Sequence, residues 1–561
     1  MTPIKKLALI LLASLILYSL SIQHGFFSPD EREYYYLSKS LAEKQSLYST
    51  AYFPAFSLTQ SEVALPAFFS FNGFGVYPDM VETKFMYPLL ASVFYWIFGF
   101  CGLQFFNIIV TLLTTVLVYF MAWKIFDETV AVFSSLVYSF CTFSVFYSTS
   151  LWYHTLATMF FLLCQVVILY FDVLKRHVAI PVLIVSSVFC VWTAYYMFLP
   201  LAALYVPLFY RRSTPVRLGD KAILLLLFFL SVYFVWPASF VKAQAGDLIA
   251  GSTESVSVLG RFLSYFKAFV SMFFFRWVTP DAYSGLQKSL LESCPYMVAF
   301  IPGLFAVRKI SVELKSILLS HILLVLMVVH TRGHAGDFGA WTLNMRYLLS
   351  VLPLLVVVSS AFLSKHLKFE RLFPTLVVSS FLFYILPVFY FSTAYNLLLA
   401  SSWCLILFFI ILCFLSIRKL NSQNYNLTVI LFLMLIVSNI LNINDVKFGN
   451  QFRHNIASLS NDVLSLVEDD SVLLVSRSYD LLMFENQTVL YYPDDTVDPV
   501  RVITEVLPQV KEKPIYMLIP PTYVCDEDEK WCSTGEKILQ QYSHQMIASE
   551  SSFILYKLNP T

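Results

Sequence analysis

Ser28-Pro29-Asp30-Glu31-Arg32-Glu33-Tyr34-Tyr35-Tyr36 stands directly after the first long apolar run, Leu7 to Ile22. Only 13% of the chain is charged, so a row of four charges beside a run of membrane-spanning length needs a reason. Local chemistry supplies part of one. Ser28 suits a helix N-cap, Pro29 the first helical position, and Glu31, three residues after the cap, closes a capping box at the positive end of the helix. Asp30 is left over: a carboxylate held at a membrane surface, where partial desolvation raises its basicity.

Outward from this stretch, the composition fixes the class. Hydrophobic residues make up 58% of the 561 and aromatics 17%, and apolar runs of spanning length recur from end to end. The expected fold is a polytopic α-helical membrane protein, and a soluble protein is excluded. The net charge of +1 gives no reason to expect nucleic acid as a partner. Lys5-Lys6 precede the first run, which has no small-residue cleavage site, so it reads as an uncleaved span with a cytoplasmic N-terminus. The 54 Phe and 34 Tyr read as lipid-facing and interfacial packing.

Charge also orders the spans. Residues 23–102 form a first outer loop, interrupted by Pro54, Pro66, Gly73 and Gly75 and closed by Tyr87 to Phe100, a run short of the roughly 20 residues that a crossing takes. With that run lying in the outer interface, Lys175-Arg176, Arg211-Arg212, Arg308-Lys309, Lys365-Lys368-Arg371 and Arg418-Lys419 all share the side of Lys5-Lys6, as the positive-inside rule requires. The spans then fall near 7–22, 103–125, 128–149, 151–171, 178–195, 197–210, 221–241, 293–307, 316–331, 346–363, 372–391, 396–416 and 425–443. That is about thirteen crossings, with the C-terminus outside. A second outer loop, 242–292, contains the amphipathic stretch Leu259 to Val278.

The chain is expected to divide into a membrane domain, residues 1–443, and a small extracytoplasmic α/β domain, residues 444–561, where charge becomes frequent and short apolar runs alternate with helical stretches. Most of the nine Cys lie in apolar runs and read as small apolar residues. Cys525 and Cys532, beside an acidic turn in the tail, are either a short disulfide or two free thiols. Asn486-Gln487-Thr488 has the pattern of a glycosylation acceptor, one that also arises by chance. Walker, dinucleotide and zinc-cluster motifs are absent from the sequence, which argues against ATP-driven and nicotinamide chemistry.

On this topology the polar residues that are not ordinary loop charge collect at the outer face: Asp30, Glu31, Glu82, Lys84, His154, Arg261, Lys267, Arg276, His330, Arg332, His334, Asp337 and Arg346. Acids and bases together at one membrane face suit an anionic lipid head group and a second substrate bearing a hydroxyl. A carboxylate supplies a base, and Lys and Arg hold phosphate. Arg261, Lys267 and Arg276 also fit membrane-surface anchors. Gly333 and Gly336 are expected to break the helix that would align His330 with His334, and no carboxylate is spaced to complete a zinc set.

Here the residues reach a family. Asp30-Glu31-Arg32-Glu33-Tyr34 resembles the Asp-Glu-x-x-Tyr signature of the GT-C class of integral-membrane glycosyltransferases, the class of the lipid A aminoarabinose transferase and the protein O-mannosyltransferases. Glu82-Thr83-Lys84-Phe85-Met86-Tyr87-Pro88-Leu89 resembles the segment that ends their first outer loop, and Phe98-Gly99 with Leu103 to Asp127 their entry to the second span. Arg346-Tyr347-Leu348-Leu349 resembles the basic residue and Tyr that open a late span. The likeness covers about the first 370 residues in order and spacing.

The resemblance implies a GT-C-like fold in the plasma (inner) membrane, with its active site outside. It implies inverting transfer of a sugar from a polyprenyl phosphate, dolichyl or undecaprenyl, to an acceptor hydroxyl on a lipid, glycan or protein. Asp30 and Glu31 would be catalytic, Asp30 as general base. Lys84, Arg346 and Arg332 would hold the donor phosphate, and His154, Arg276 and Tyr347 would contact donor or acceptor. A clamped lipid phosphate needs no second catalytic acid. Relatives carry a second acid near the position of His154, so its replacement here makes a metal shared by two carboxylates less expected, and no cofactor is implied. His154 has two open readings, a substrate contact or an interfacial histidine satisfied by a neighbour. Three other readings stand beside the transferase: a flippase or transporter of lipid-linked sugar, a glycan polymerase or ligase using the 331–346 loop, and a sensor with a degenerate transferase body.

Overall fold

The computed structural model describes residues 3–26, 29–44, 86–210, 258–273, 311–334, 346–366, 451–469, 471–476, 488–492, 513–519 and 538–559, with Leu482 and scattered positions from 290 to 304. Two compact units divide the chain, Met1–Ile22 with Gln104–Phe448 and Gln23–Leu103 with Gly449–Thr561. The expected spans at 221–241, 372–391, 396–416 and 425–443 lie outside the described residues, as do Cys525, Cys532 and Asn486.

In the first unit, α1 (Pro3–Leu20) and the later part of α3 (Met86–Ile125) belong with α4 (Glu128–Phe140), α5 (Thr142–Ser148), α6 (His154–Leu169), α7 (Arg176–Thr193), α8 (Phe198–Tyr210), α9 (Val258–Phe273), α10 (Val312–His334) and α11 (Leu352–His366). Among the described residues, three helices are long and apolar enough to cross a membrane: Met86–Ile125, Arg176–Thr193 and Val312–Val329. The shorter apolar helices Glu128–Phe140, His154–Leu169, Phe198–Pro207 and Leu352–Ser364 accompany them. This is an α-helical membrane fold. The 40 residues of α3 are twice what a crossing takes, and Gly99, at φ 62° and ψ −145°, kinks the helix where only glycine turns at low cost.

Residues 128–149, expected as one crossing, are instead two helices broken at Cys141, which is extended at φ −71° and ψ 149°. Side chains have taken the carbonyls that would carry the helix through. The Tyr18 hydroxyl of α1 donates to Ser139 O at 2.6 Å, and the Cys141 thiol donates to Tyr138 O at 3.1 Å. Before the break, Asp127 caps α4 by accepting from Val130 N at 2.9 Å, as an aspartate at an N-cap should.

The second unit holds a five-stranded sheet of order β2-β1-β3-β5-β4, made of β1 (Val472–Ser476), β2 (Thr488–Tyr492), β3 (Ile515–Ile519), β4 (Ser543–Ser549) and β5 (Ile554–Asn559). β1 pairs in parallel with β2 and β3, while β5 runs antiparallel to both β3 and β4. The period of two in β1 sorts its side chains to opposite faces. Val472 and Leu474 pack with Met517 and Ile538, whereas Leu473 and Val475 pack with Val463 of the helical run 451–464 and with Leu518. Both faces of the strand are covered, which is why it reads as continuous apolar sequence.

Lys557 lies opposite Tyr516 across β3 and β5, and both donate to Glu468 Oε1. The Lys557 ammonium, helped by the Tyr516 hydroxyl, holds the Glu468 carboxyl below its ordinary value. A depressed carboxyl stabilises fully above its unfolded pKa, and that contribution is lost as pH falls through the folded one. Lys557→Met is therefore expected to reduce slightly the drop in melting temperature between neutral pH and the acid side of the carboxylate range, read by thermal unfolding. The effect is small because the pair is solvent-screened.

Candidate active site

The structure gathers three of the residues read from sequence at the start of α6. His154 opens that helix and is buried, at 1% exposure. Its ring stacks on Tyr153 at 3.8 Å and meets Tyr347 edge-on at 4.8 Å. The Arg346 guanidinium lies 4.9 Å from the centre of the Trp152 ring and 5.3 Å from that of Tyr347. Tyr196, in the 3-10 turn Tyr195–Met197, flanks Tyr347 at 5.8 Å.

Polar contacts set this cluster. Asn107 of α3 donates to Ser150 O and accepts from the Thr155 hydroxyl at 3.1 Å, which ties the segment before α6 to the first turn of α6. The Thr158 hydroxyl donates to His154 O, so its 2.8 Å contact with Ser350 is a bond donated by Ser350. That bond fixes α6 against the segment carrying Arg346 and Tyr347. A guanidinium held against aromatic faces keeps its charge and its planar donor fork, the geometry that suits a phosphate. In surroundings poor in water such a cation acts on an anion more strongly than in bulk solvent.

The Asp30 stretch lies in the other unit. α2 (Pro29–Lys44) begins at Pro29, as a proline in the first turn favours. Ser28, the expected capping partner of Glu31, lies outside the described residues, but Glu31 has a tertiary partner. Glu31 is 1% exposed, and its Oε1 accepts from Arg453 Nη2 at 2.7 Å; Arg453 is itself 1% exposed. Removing one partner of such a buried pair costs about 3–5 kcal/mol, far more than loss of a cap. Gly25, at φ 103°, passes so close to Arg453 that an added Cβ would lie 2.3 Å from its carbonyl oxygen. Phe26 and Tyr35 pack with tilted rings at 5.4 Å, and Tyr34 meets Tyr87 edge-on at 5.3 Å, which fixes α2 against the first turn of α3. The Asp30 backbone is helical, in the first turn of α2.

Lys84, Glu82, Arg276 and Asp337 lie outside the described residues. Arg332, His330 and His334 are placed by backbone only, on α10, which runs through Gly333 to His334. The expected break at Gly333 is corrected. A glycine in a last helical turn costs only about 1 kcal/mol, too little to end a helix that packs along its length. Among the described residues no three His, Cys, Asp or Glu are grouped to hold a metal. Sequence reasoning missed Arg453, Trp152 and Tyr196, and it missed His321, buried at 4% exposure within α10 with its Nδ1–H donating to Ile317 O at 2.8 Å.

No protein-family model matches the chain, and no curated protein matches it by sequence. Solved structures do. ArnT from Cupriavidus metallidurans bound to undecaprenyl phosphate superposes with a TM-score of 0.57 at 11% identity, over 98% of this chain and 97% of that one. The same protein in its apo state gives a TM-score of 0.52 at 12% identity, with the same coverage of 98% and 97%. At such identities the likeness is one of fold, and it extends past the first 370 residues to nearly the whole chain. The GT-C resemblance read from four short motifs is matched in three dimensions: the chain has the fold of ArnT, the lipid A aminoarabinose transferase, a GT-C class membrane enzyme.

Proposed function

We propose that the chain is an inverting glycosyltransferase that moves a sugar from a polyprenyl-phosphate donor to an acceptor hydroxyl at the outer face of the membrane. The observation that carries this reading is the fold shared over 98% of the chain with a protein whose crystal structure holds undecaprenyl phosphate. The Arg346, His154 and Tyr347 cluster agrees with it, because a cation packed between aromatic rings beside an imidazole is suited to an anionic head group. In this reading Asp30 takes the acceptor hydroxyl proton as that oxygen attacks the anomeric carbon. The bond from that carbon to the phosphate oxygen breaks on the opposite face, and polyprenyl phosphate leaves with its charge held by Arg346, Lys84 and Arg332. Glu31 supports Asp30, and His154, Tyr347 and Arg276 contact donor or acceptor. The acceptor is a lipid, glycan or protein hydroxyl, and the 444–561 tail lies on the same side as the active site.

Membranes carrying the wild type or Asp30→Asn, given labelled undecaprenyl- and dolichyl-phosphate sugars with extracted acceptors, test this. Loss of a general base is expected to slow transfer about 10²- to 10⁴-fold at equal protein level. Normal transfer by Asp30→Asn, or a donor left unconsumed by the wild type, overturns it. A second reading, a carrier of lipid-linked sugar, is favoured by the break at Cys141 and the buried His321, features that carriers use at mid-membrane. It predicts that donor changes leaflet without being consumed.

A further inference from the structure

We infer that Arg453 is a positioning residue for the Asp30 base, so that the segment after Gly449 completes the reacting end of α2. This rests on the transferase reading above and adds to it a residue from the far end of the chain. Two contacts converge on Arg453. Its guanidinium donates to Glu31 Oε1 at 2.7 Å, and its backbone carbonyl faces Gly25 too closely for any side chain at that position. One contact lies before α2 and the other in its first turn, so they bracket Asp30 on both sides. Successive residues are about 100° apart around a helix, so a pinned Glu31 sets the rotation of the turn that carries Asp30. Both ends of the ion pair are buried and belong to one compact unit. Buried charge of this kind holds one arrangement because every other arrangement leaves it desolvated. A base is useful only within hydrogen-bond reach of the proton it takes, and a displacement of about 1 Å costs on the order of 10²-fold in rate.

The test measures kcat and donor KM in purified full-length protein with whichever labelled polyprenyl-phosphate sugar the wild type consumes, alongside thermal unfolding. Arg453→Gln is expected to lower kcat about 10²-fold with donor KM within about two-fold. Arg453→Lys, which keeps the charge, is expected to recover most of the rate. Glu31→Gln combined with Arg453→Gln removes the buried charge altogether, and is expected to fold even where the single variant does not and to be no slower than Arg453→Gln, since paired residues acting as a unit are not additive. If melting falls while kcat per folded molecule stays at the wild-type value in Arg453→Gln, or in the double variant where the single one does not fold, Arg453 only stabilises and the inference is overturned. Asp30→Asn inactive in that same experiment would leave the transferase reading standing. A wild type that consumes no donor overturns both.

Discussion

Arg346→Ala is expected to lower transfer by about 10²- to 10³-fold, the usual cost of deleting one charge-stabilising group from a transition state. The argument starts from what the guanidinium touches. It lies over Trp152 and Tyr347, in a residue that is half-buried. A polyprenyl phosphate gains charge on its bridging oxygen as the sugar leaves, and a cation already held in place meets that charge without reorganising. The loss should therefore appear in kcat more than in donor KM. Arg346→Lys is expected to recover the rate only in part: the charge stays, but the planar fork and the stacking go. The check is single-turnover transfer in purified protein beside retention of undecaprenyl phosphate, with melting temperature as control. Equal rates for Arg346→Ala and wild type would remove Arg346 from the site and leave the cluster as packing.

The members of this candidate cluster were legible because they carry local chemical signals. Arg346-Tyr347 stands where a polar loop gives way to an apolar run, and His154 is a titratable residue opening an apolar helix; each stands out against its own neighbours. Their meeting was not legible, since the contact of His154 with Tyr347 joins segments far apart in the chain. Arg453 is the extreme case. It lies 422 residues from Glu31, in a tail where charge is ordinary, and nothing beside it marks it as buried. Glu31, read from sequence as a capping residue, likewise has a tertiary partner that no local rule points to. The break at Cys141 escaped because no Pro or Gly sits there. It arises from Tyr18, a side chain of another helix, occupying a backbone carbonyl. Gly99 was legible as the end of an apolar run, and glycine is what its backbone angles demand.

Gly25→Ala is expected to remove most of the protein from the membrane fraction, and its activity with it. Two costs fall on the one methyl group. Its φ of 103° is a conformation that side-chain-bearing residues adopt only at about 1–3 kcal/mol. The added carbon also lies 2.3 Å from the Arg453 carbonyl oxygen and 3.1 Å from the carbon bonded to it. Those are backbone atoms, which cannot rotate aside as the end of a side chain can. Relief requires moving Arg453, and with it the guanidinium that meets Glu31, so the strain passes directly into a buried ion pair. A domain with 5–15 kcal/mol of total stability does not absorb both. Gly99→Ala is the control that separates the terms. It too has positive φ, at 62°, but a Cβ there has nothing within 4 Å, so only the backbone cost applies and a milder loss is expected. Quantitative immunoblotting of membranes and limited proteolysis give the two results side by side. Gly25→Ala as abundant and as protease-resistant as Gly99→Ala would show that the approach of Gly25 to Arg453 is not tight in the folded protein, and would weaken the case that Arg453 fixes the start of α2.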